Sequence, residues 1–81
     1  MKLPRDISGK KLETKLAWFG YQKTRQTGSH LRLTSNIKGG EHHVTIPAHD
    51  FIKVGTLDSI VNSVSGYLEI DKQDFIQQLF K

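Results

Sequence analysis

Apolar residues along this chain follow two periodicities, and the switch between them marks out the elements. Leu12, Leu16 and Phe19 recur at i, i+4 and i+7, the spacing of one helical face. Ser8 stands where an N-cap is needed, and Ile7 and Leu12 have the spacing of a hydrophobic staple. Gly20 occupies the position of a left-handed C-cap, so the pattern predicts a helix over Gly9–Phe19. Beyond it the period falls to two. Tyr21–Gln26 and Ser29–Thr34 read as strands joined by a two-residue hairpin loop, Thr27-Gly28. That loop sets Arg25 opposite His30 and Lys23 opposite Arg32. Leu31 and Leu33 then point inward, with Lys23, Arg25, His30 and Arg32 together on the outer face.

Ser35–Glu41 is a polar loop with Gly39-Gly40 as its turn signal. His42–Ile46 alternates again, Val44 and Ile46 inward and His43 and Thr45 outward, and Pro47 ends the strand. After a connection over Ala48–Lys53, Thr56 is the expected cap of a second helix striped by Leu57, Ile60, Val61 and Val64. Asp71, with Asp74 at the reciprocal position, caps a short third helix carrying Phe75, Leu79 and Phe80. Those apolar residues are expected to pack within the same chain. Trp18 and Tyr21 are expected in the core or at its edge. The order is helix, three-stranded antiparallel sheet, helix and appended helix. It predicts an α+β fold, one domain over residues 1–81 with 66–81 as a C-terminal addition.

Composition narrows the chemistry. Of 81 residues, 36% are hydrophobic and 25% charged, enough apolar content for one modest core and too much for disorder. Cysteine is absent, which excludes disulfides, thiolate metal sites and cysteine nucleophiles. Met1-Lys2-Leu3-Pro4-Arg5-Asp6 has no apolar run behind it, so no signal peptide is expected. No window approaches the ~18 apolar residues of a membrane span, so no membrane partner and a cytoplasmic location are expected.

The net charge of +4 is unevenly spread. Residues 2–32 hold eight Lys/Arg against two acids, and residues 33–81 hold four lysines against six acids. The hairpin thus lies in the basic half, which favours a polyanionic partner there. His30, at a strand start beside a turn glycine, reads equally as an ordinary exposed histidine or as a proton-transfer group. Ser29 reads as a hydrogen-bonding turn residue, because no Asp/His pair is placed to activate it as a nucleophile. His42 and His43 face opposite sides of the sheet and cannot chelate one metal together. A set of His30, His43 and His49 is conceivable but weakly supported, and no metal or other cofactor is expected.

Four stretches in order carry a family resemblance. They are Leu3-Pro4 with Ser8-Gly9-Lys10; Arg25-Gln26-Thr27-Gly28-Ser29-His30; His43-Val44-Thr45-Ile46-Pro47 followed by His49; and Lys53-Val54-Gly55-Thr56-Leu57 with Ile60. Together they span about residues 3 to 64, and the chain resembles the HicA toxin family. The resemblance implies a double-stranded-RNA-binding-domain-like fold, metal-independent mRNA cleavage, and neutralisation by a HicB-type antitoxin that covers the active face. It places the family's catalytic histidine on His30 and its turn glycine on Gly28. Gln22-Lys23-Thr24 is more polar than family members usually are there, and the third helix runs past the common family end near Gly66.

Cleavage of this kind needs a base for the 2′-hydroxyl proton, an acid for the leaving 5′-oxygen, and cations for the charged transition state. His30 can serve as base or acid. Arg25 and Arg32 can grip phosphate oxygens bidentately, and Gly28 and Ser29 let the substrate backbone approach. Lys10, Lys11 and Lys53 would follow the backbone outside the reacting centre. His43 is the candidate second proton carrier, with water as the alternative. Competing readings are a non-catalytic RNA-binding module of the same fold and a domain whose basic face meets an acidic protein. The free protein is expected to be monomeric.

Overall fold

The computed structural model describes residues 3–81; Met1 and Lys2, the start of the segment expected to be no signal peptide, lie outside the described residues. Six elements follow in order: α1 (Gly9–Ala17), β1 (Gln22–Thr27), β2 (His30–Ser35), β3 (His42–Pro47), α2 (Val54–Leu68) and α3 (Lys72–Leu79). The strands form an antiparallel meander in the order β1-β2-β3. The fold is therefore α+β, and its helix–sheet–helix order is consistent with a double-stranded-RNA-binding-domain-like arrangement extended by α3.

Local chemistry explains the boundaries. The Ser8 hydroxyl accepts the Lys11 amide at 3.1 Å, capping α1. At its other end Gly20, with φ of 94°, donates to the Ala17 carbonyl while Tyr21 donates to Leu16. This is the paired bonding of a Schellman stop. The second helix begins two residues before the expected Thr56 cap. Ile52 is buried and its amide is bonded to the Ile7 carbonyl, which fixes the chain so that Lys53 already accepts the first helical bond, from Leu57. Thr56 consequently lies inside the first turn. Asp71 caps α3 through bonds from the Gln73 and Asp74 amides.

One cluster forms the core. Leu31 and Leu33 of β2 and Val44 and Ile46 of β3 supply the sheet's inner face, and Leu12, Leu16, Leu57, Val61 and Val64 supply the helices. Phe75, Ile76 and Leu79 bring α3 into the same cluster, and the Phe75 ring meets Phe19 edge-on at 5.0 Å between centroids. Tyr21 is buried as expected. Trp18 is not: it is 87% exposed. At 100° per residue it points about 200° away from Leu16, so the stripe that buries Leu12 and Leu16 turns Trp18 out to water. It walls a groove of about 230 Å³ between α1 and α3, together with Phe19, Leu79, Lys11 and Lys15.

Candidate active site

The site begins with a turn. The loop joining β1 to β2 is Gly28-Ser29, one residue later than the expected Thr27-Gly28. Gly28 has φ of 57°, whereas Ser29 has no positive φ. A positive φ at the first central residue alone is the type II′ pattern. Centring the loop on Thr27 would force that conformation on a β-branched residue, and the glycine therefore takes it. Thr27 now pairs with His30, Gln26 with Leu31 and Arg25 with Arg32. The expected Arg25–His30 and Lys23–Arg32 oppositions are replaced. Moving the loop by one residue moves the pairing by two, so Arg25 keeps its outward face.

Lys23 does not. An irregularity between Lys23 and Arg25 leaves Thr24 as an extra residue, and Lys23 falls opposite the inward Leu33. Thr24 instead joins the outer face, where its hydroxyl is 2.8 Å from that of Thr34. Lys23 bonds Gln26 on the other side, at 3.2 Å.

On the outer face Arg25, Thr27, His30, Arg32 and Thr45 line one open recess of about 200 Å³. Arg25 and Arg32 are direct cross-strand partners and exposed, and no acidic side chain among the described residues pairs with either. Like charges set opposite each other cost stability, about 0.2–1 kcal/mol for a pair of this kind. The arrangement makes chemical sense as a receptor for an anion with several oxygens, which two guanidiniums can hold in parallel bonds. No Cβ neighbour crowds Gly28, so the turn leaves the approach to His30 open.

His30 also lines a second cleft of about 340 Å³, shared with Thr45, Pro47, His49, Lys53 and Thr56. The pairing of β2 and β3 continues past Pro47, since the Ala48 amide donates to the Ser29 carbonyl at 2.6 Å. The Gly9 amide then donates to the His49 carbonyl at 3.0 Å, tying this segment to the start of α1. A methyl on Gly9 would collide with the Pro47 carbonyl, so only glycine permits this approach. Lys53 thereby lines the same cleft as His30, whereas the sequence placed it outside the reacting centre. His49 reaches it too. The sequence signal for that was the short Pro47-Ala48-His49 spacing, which carries the chain only two residues beyond the residue paired with His30.

The remaining expected residues are elsewhere. Lys11 lines the groove beside Trp18, and Lys10 is exposed in the first turn of α1 without lining either His30 recess. His43 shares the outer face but pairs with Thr34, whereas His30 pairs with Pro47. Four residues of strand separate those positions, roughly 13 Å. Its Nδ1 sits 2.8 Å from the Thr34 hydroxyl and its Nε2 3.9 Å from Glu41. His43 is thus not brought to His30. Among the described residues no group of three or more His, Asp or Glu could hold a metal ion.

His42 points inward, as alternation requires, into a polar cluster. Tyr21 stays a protonated phenol because burial, then the neighbouring Tyr67, pushes its pKa above the usual range. Its hydroxyl is hydrogen-bonded to His42 Nδ1 at 2.6 Å, and Ser63 Oγ is hydrogen-bonded to Nε2 at 2.9 Å. The imidazole stacks on Tyr67 at 4.7 Å. Burial, and secondarily the charge of His43, lowers its pKa. Both ring nitrogens are committed to holding β3 on α2, which leaves His42 a structural role.

No helix among the described residues is long and apolar enough to cross a membrane. In comparisons with known proteins, no individual curated protein and no solved structure matches the chain. One family model does, that of the HicA toxin of bacterial toxin–antitoxin systems, over residues 9–65. The match covers well over half of the sequence and includes the hairpin, His30, β3, His49 and most of α2, stopping before α3. The chain belongs to the HicA toxin family.

Proposed function

We propose that the protein is an endoribonuclease toxin that cuts mRNA without a metal, using His30 as general base and Arg25 and Arg32 to hold the phosphate. One observation carries the reading. In a HicA toxin chain, His30 shares a recess with two directly opposed arginines that have no acidic partner among the described residues. A single-stranded segment laid on the outer face puts a phosphate between the guanidiniums and a 2′-hydroxyl at the imidazole. His30 takes that proton, the 2′-oxygen attacks phosphorus, and the arginines stabilise the charge that accumulates on the non-bridging oxygens. Gly28 and Ser29 give the strand access, and Lys53 extends the cationic track. Lys10 and Lys11 meet RNA only beyond the reacting centre. The partner is a HicB-type antitoxin presenting an acidic surface to this face; the free toxin is a cytoplasmic monomer.

Side-by-side expression of the protein and His30→Ala tests this. A general base of this kind accounts for ~10²–10⁴-fold in rate, so the variant should neither arrest growth nor cleave RNA measurably. Cleavage by the unaltered protein should persist in excess chelator. Equal toxicity of the two proteins would refute the role of His30. RNA binding without cleavage by either would return the protein to the class of non-catalytic RNA-binding modules.

A further inference from the structure

We infer that His49 is the second proton-transfer residue of this site, the general acid that protonates the leaving 5′-oxygen. The inference rests on the reading of His30 as general base. Its observation is the second cleft, in which His30 and His49 line one space of about 340 Å³ with Lys53. His30 lines both this cleft and the Arg25–Arg32 recess, so a phosphodiester held by the arginines at His30 has its leaving side directed toward His49. His43, the other outward histidine, is separated from His30 by four residues of strand and has its Nδ1 hydrogen-bonded to the Thr34 hydroxyl.

The position of His49 is built rather than incidental. Its carbonyl accepts the Gly9 amide, the preceding Ala48 amide is bonded to Ser29, and Gly9 lacks the side chain that would push the segment away. These three restraints act on the backbone and hold it beside the His30 turn. The His49 residue itself stays exposed, as a group that must exchange protons with solvent between turnovers requires.

The step balances with these groups alone. His30 accepts the 2′-hydroxyl proton as the 2′-oxygen forms its bond to phosphorus. The bond from phosphorus to the 5′-oxygen breaks, and that oxygen takes a proton from the His49 imidazolium. The products are a 2′,3′-cyclic phosphate and a 5′-hydroxyl end, with one proton moved from His49 to the departing strand and one gained by His30. Exchange with water restores both.

The test uses an RNA oligonucleotide that the protein cleaves, and the same oligonucleotide with sulfur replacing the 5′-bridging oxygen at the cut site. A thiolate leaves without being protonated, so an acid is no longer needed. His49→Gln should cut the oxygen substrate ~10²–10³-fold more slowly than the unaltered protein, and the sulfur substrate within ~10-fold of it. His30→Gln should be impaired on both. Thermal melting and affinity for a 2′-deoxy analogue of the cut site check that each variant folds and binds.

Unchanged cleavage of the oxygen substrate by His49→Gln, with His30→Gln inactive, overturns this inference and spares the reading of His30. Equal loss on both substrates by a folded, binding His49→Gln also overturns it, because an acid's absence would be rescued by sulfur. Rescue of His30→Gln in place of His49→Gln overturns the assignment of the acid. Full activity of His30→Gln on both substrates overturns the reading on which the inference rests.

Discussion

At the scale of single residues, Arg25 and Arg32 show that stability and recognition pull in opposite directions. Their direct opposition across β1 and β2 is unfavourable in the free protein and becomes favourable when an anion lies between them. Replacing Arg32 with Thr keeps strand propensity and removes the repulsion. The variant should melt slightly higher, by the equivalent of about 0.2–1 kcal/mol. It should also bind single-stranded RNA more weakly, with the log–log salt slope reduced by about 0.7, one phosphate contact for a single strand. An unaltered slope would place Arg32 off the RNA path. Much of this site was legible beforehand. Leu31 and Leu33 fix the face of β2, and His30 and Arg32 must then face out. The pairing partner was not legible, because a loop assigned by spacing ignores which residue must take the positive φ. Nor was the bulge at Thr24, since nothing in the polar run Gln22-Lys23-Thr24 marks an inward side. His49 was visible only through its short spacing from Pro47: the strand continuation that brings it to His30 is set by a backbone bond from Ala48 to Ser29, which no side-chain pattern encodes.

At the scale of elements, helix ends were the most readable features, because caps are local chemistry. Ser8, Gly20 and Asp71 each act as expected. The end of α2 is the exception that the sequence does not announce. Glu69 takes the left-handed conformation, φ of 59°, that closes the helix through bonds from Glu69 to Gly66 and Ile70 to Ser65. That conformation costs an L-residue about 1–2 kcal/mol, and it is normally filled by glycine. Among the described residues its compensation is an exposed ion pair with Lys38 at 3.1 Å, an interaction worth about 0–1 kcal/mol. Glu69→Gly should therefore stabilise the protein by up to about 1 kcal/mol after the extra freedom of glycine in the unfolded chain is counted. For a chain of this size that is a rise of about 4–8 °C in Tm. A lower Tm would mean that the Lys38 pair, and the loop it anchors beside Gly39, contributes more than exposed pairs usually do. Trp18 marks the limit of reading helices by hydrophobicity alone: its identity suggested the core, but its angular position put it outside.

At the scale of the whole molecule, the outer face of the sheet is left open, so the fold must be held together from the inner face. His42 is the polar node of that attachment. It joins Tyr21 at the start of β1, Ser63 of α2 and the ring of Tyr67, whose hydroxyl donates to the Gly40 carbonyl and so closes the loop before β3. Burial favours the neutral imidazole within this network. Burial and the charge of His43 lower its pKa, while in the unfolded chain it returns to the ordinary value near ~6.5. Between those two values the unfolded chain binds more protons than the native protein. Stability is therefore fully present above the unfolded value and is lost as pH falls below it, levelling off beneath the folded one. The groups that face His42 are Tyr21, Tyr67 and Ser63, with His43 next to it, and none supplies a negative charge to offset protonation. Thermal melting from about pH 7.5 to about pH 5 should show Tm declining more steeply for the unaltered protein than for His42→Gln. That variant cannot titrate, but it starts lower because its amide cannot satisfy Tyr21 and Ser63 in the same geometry. Parallel curves would show that His42 is not what couples this fold to acid.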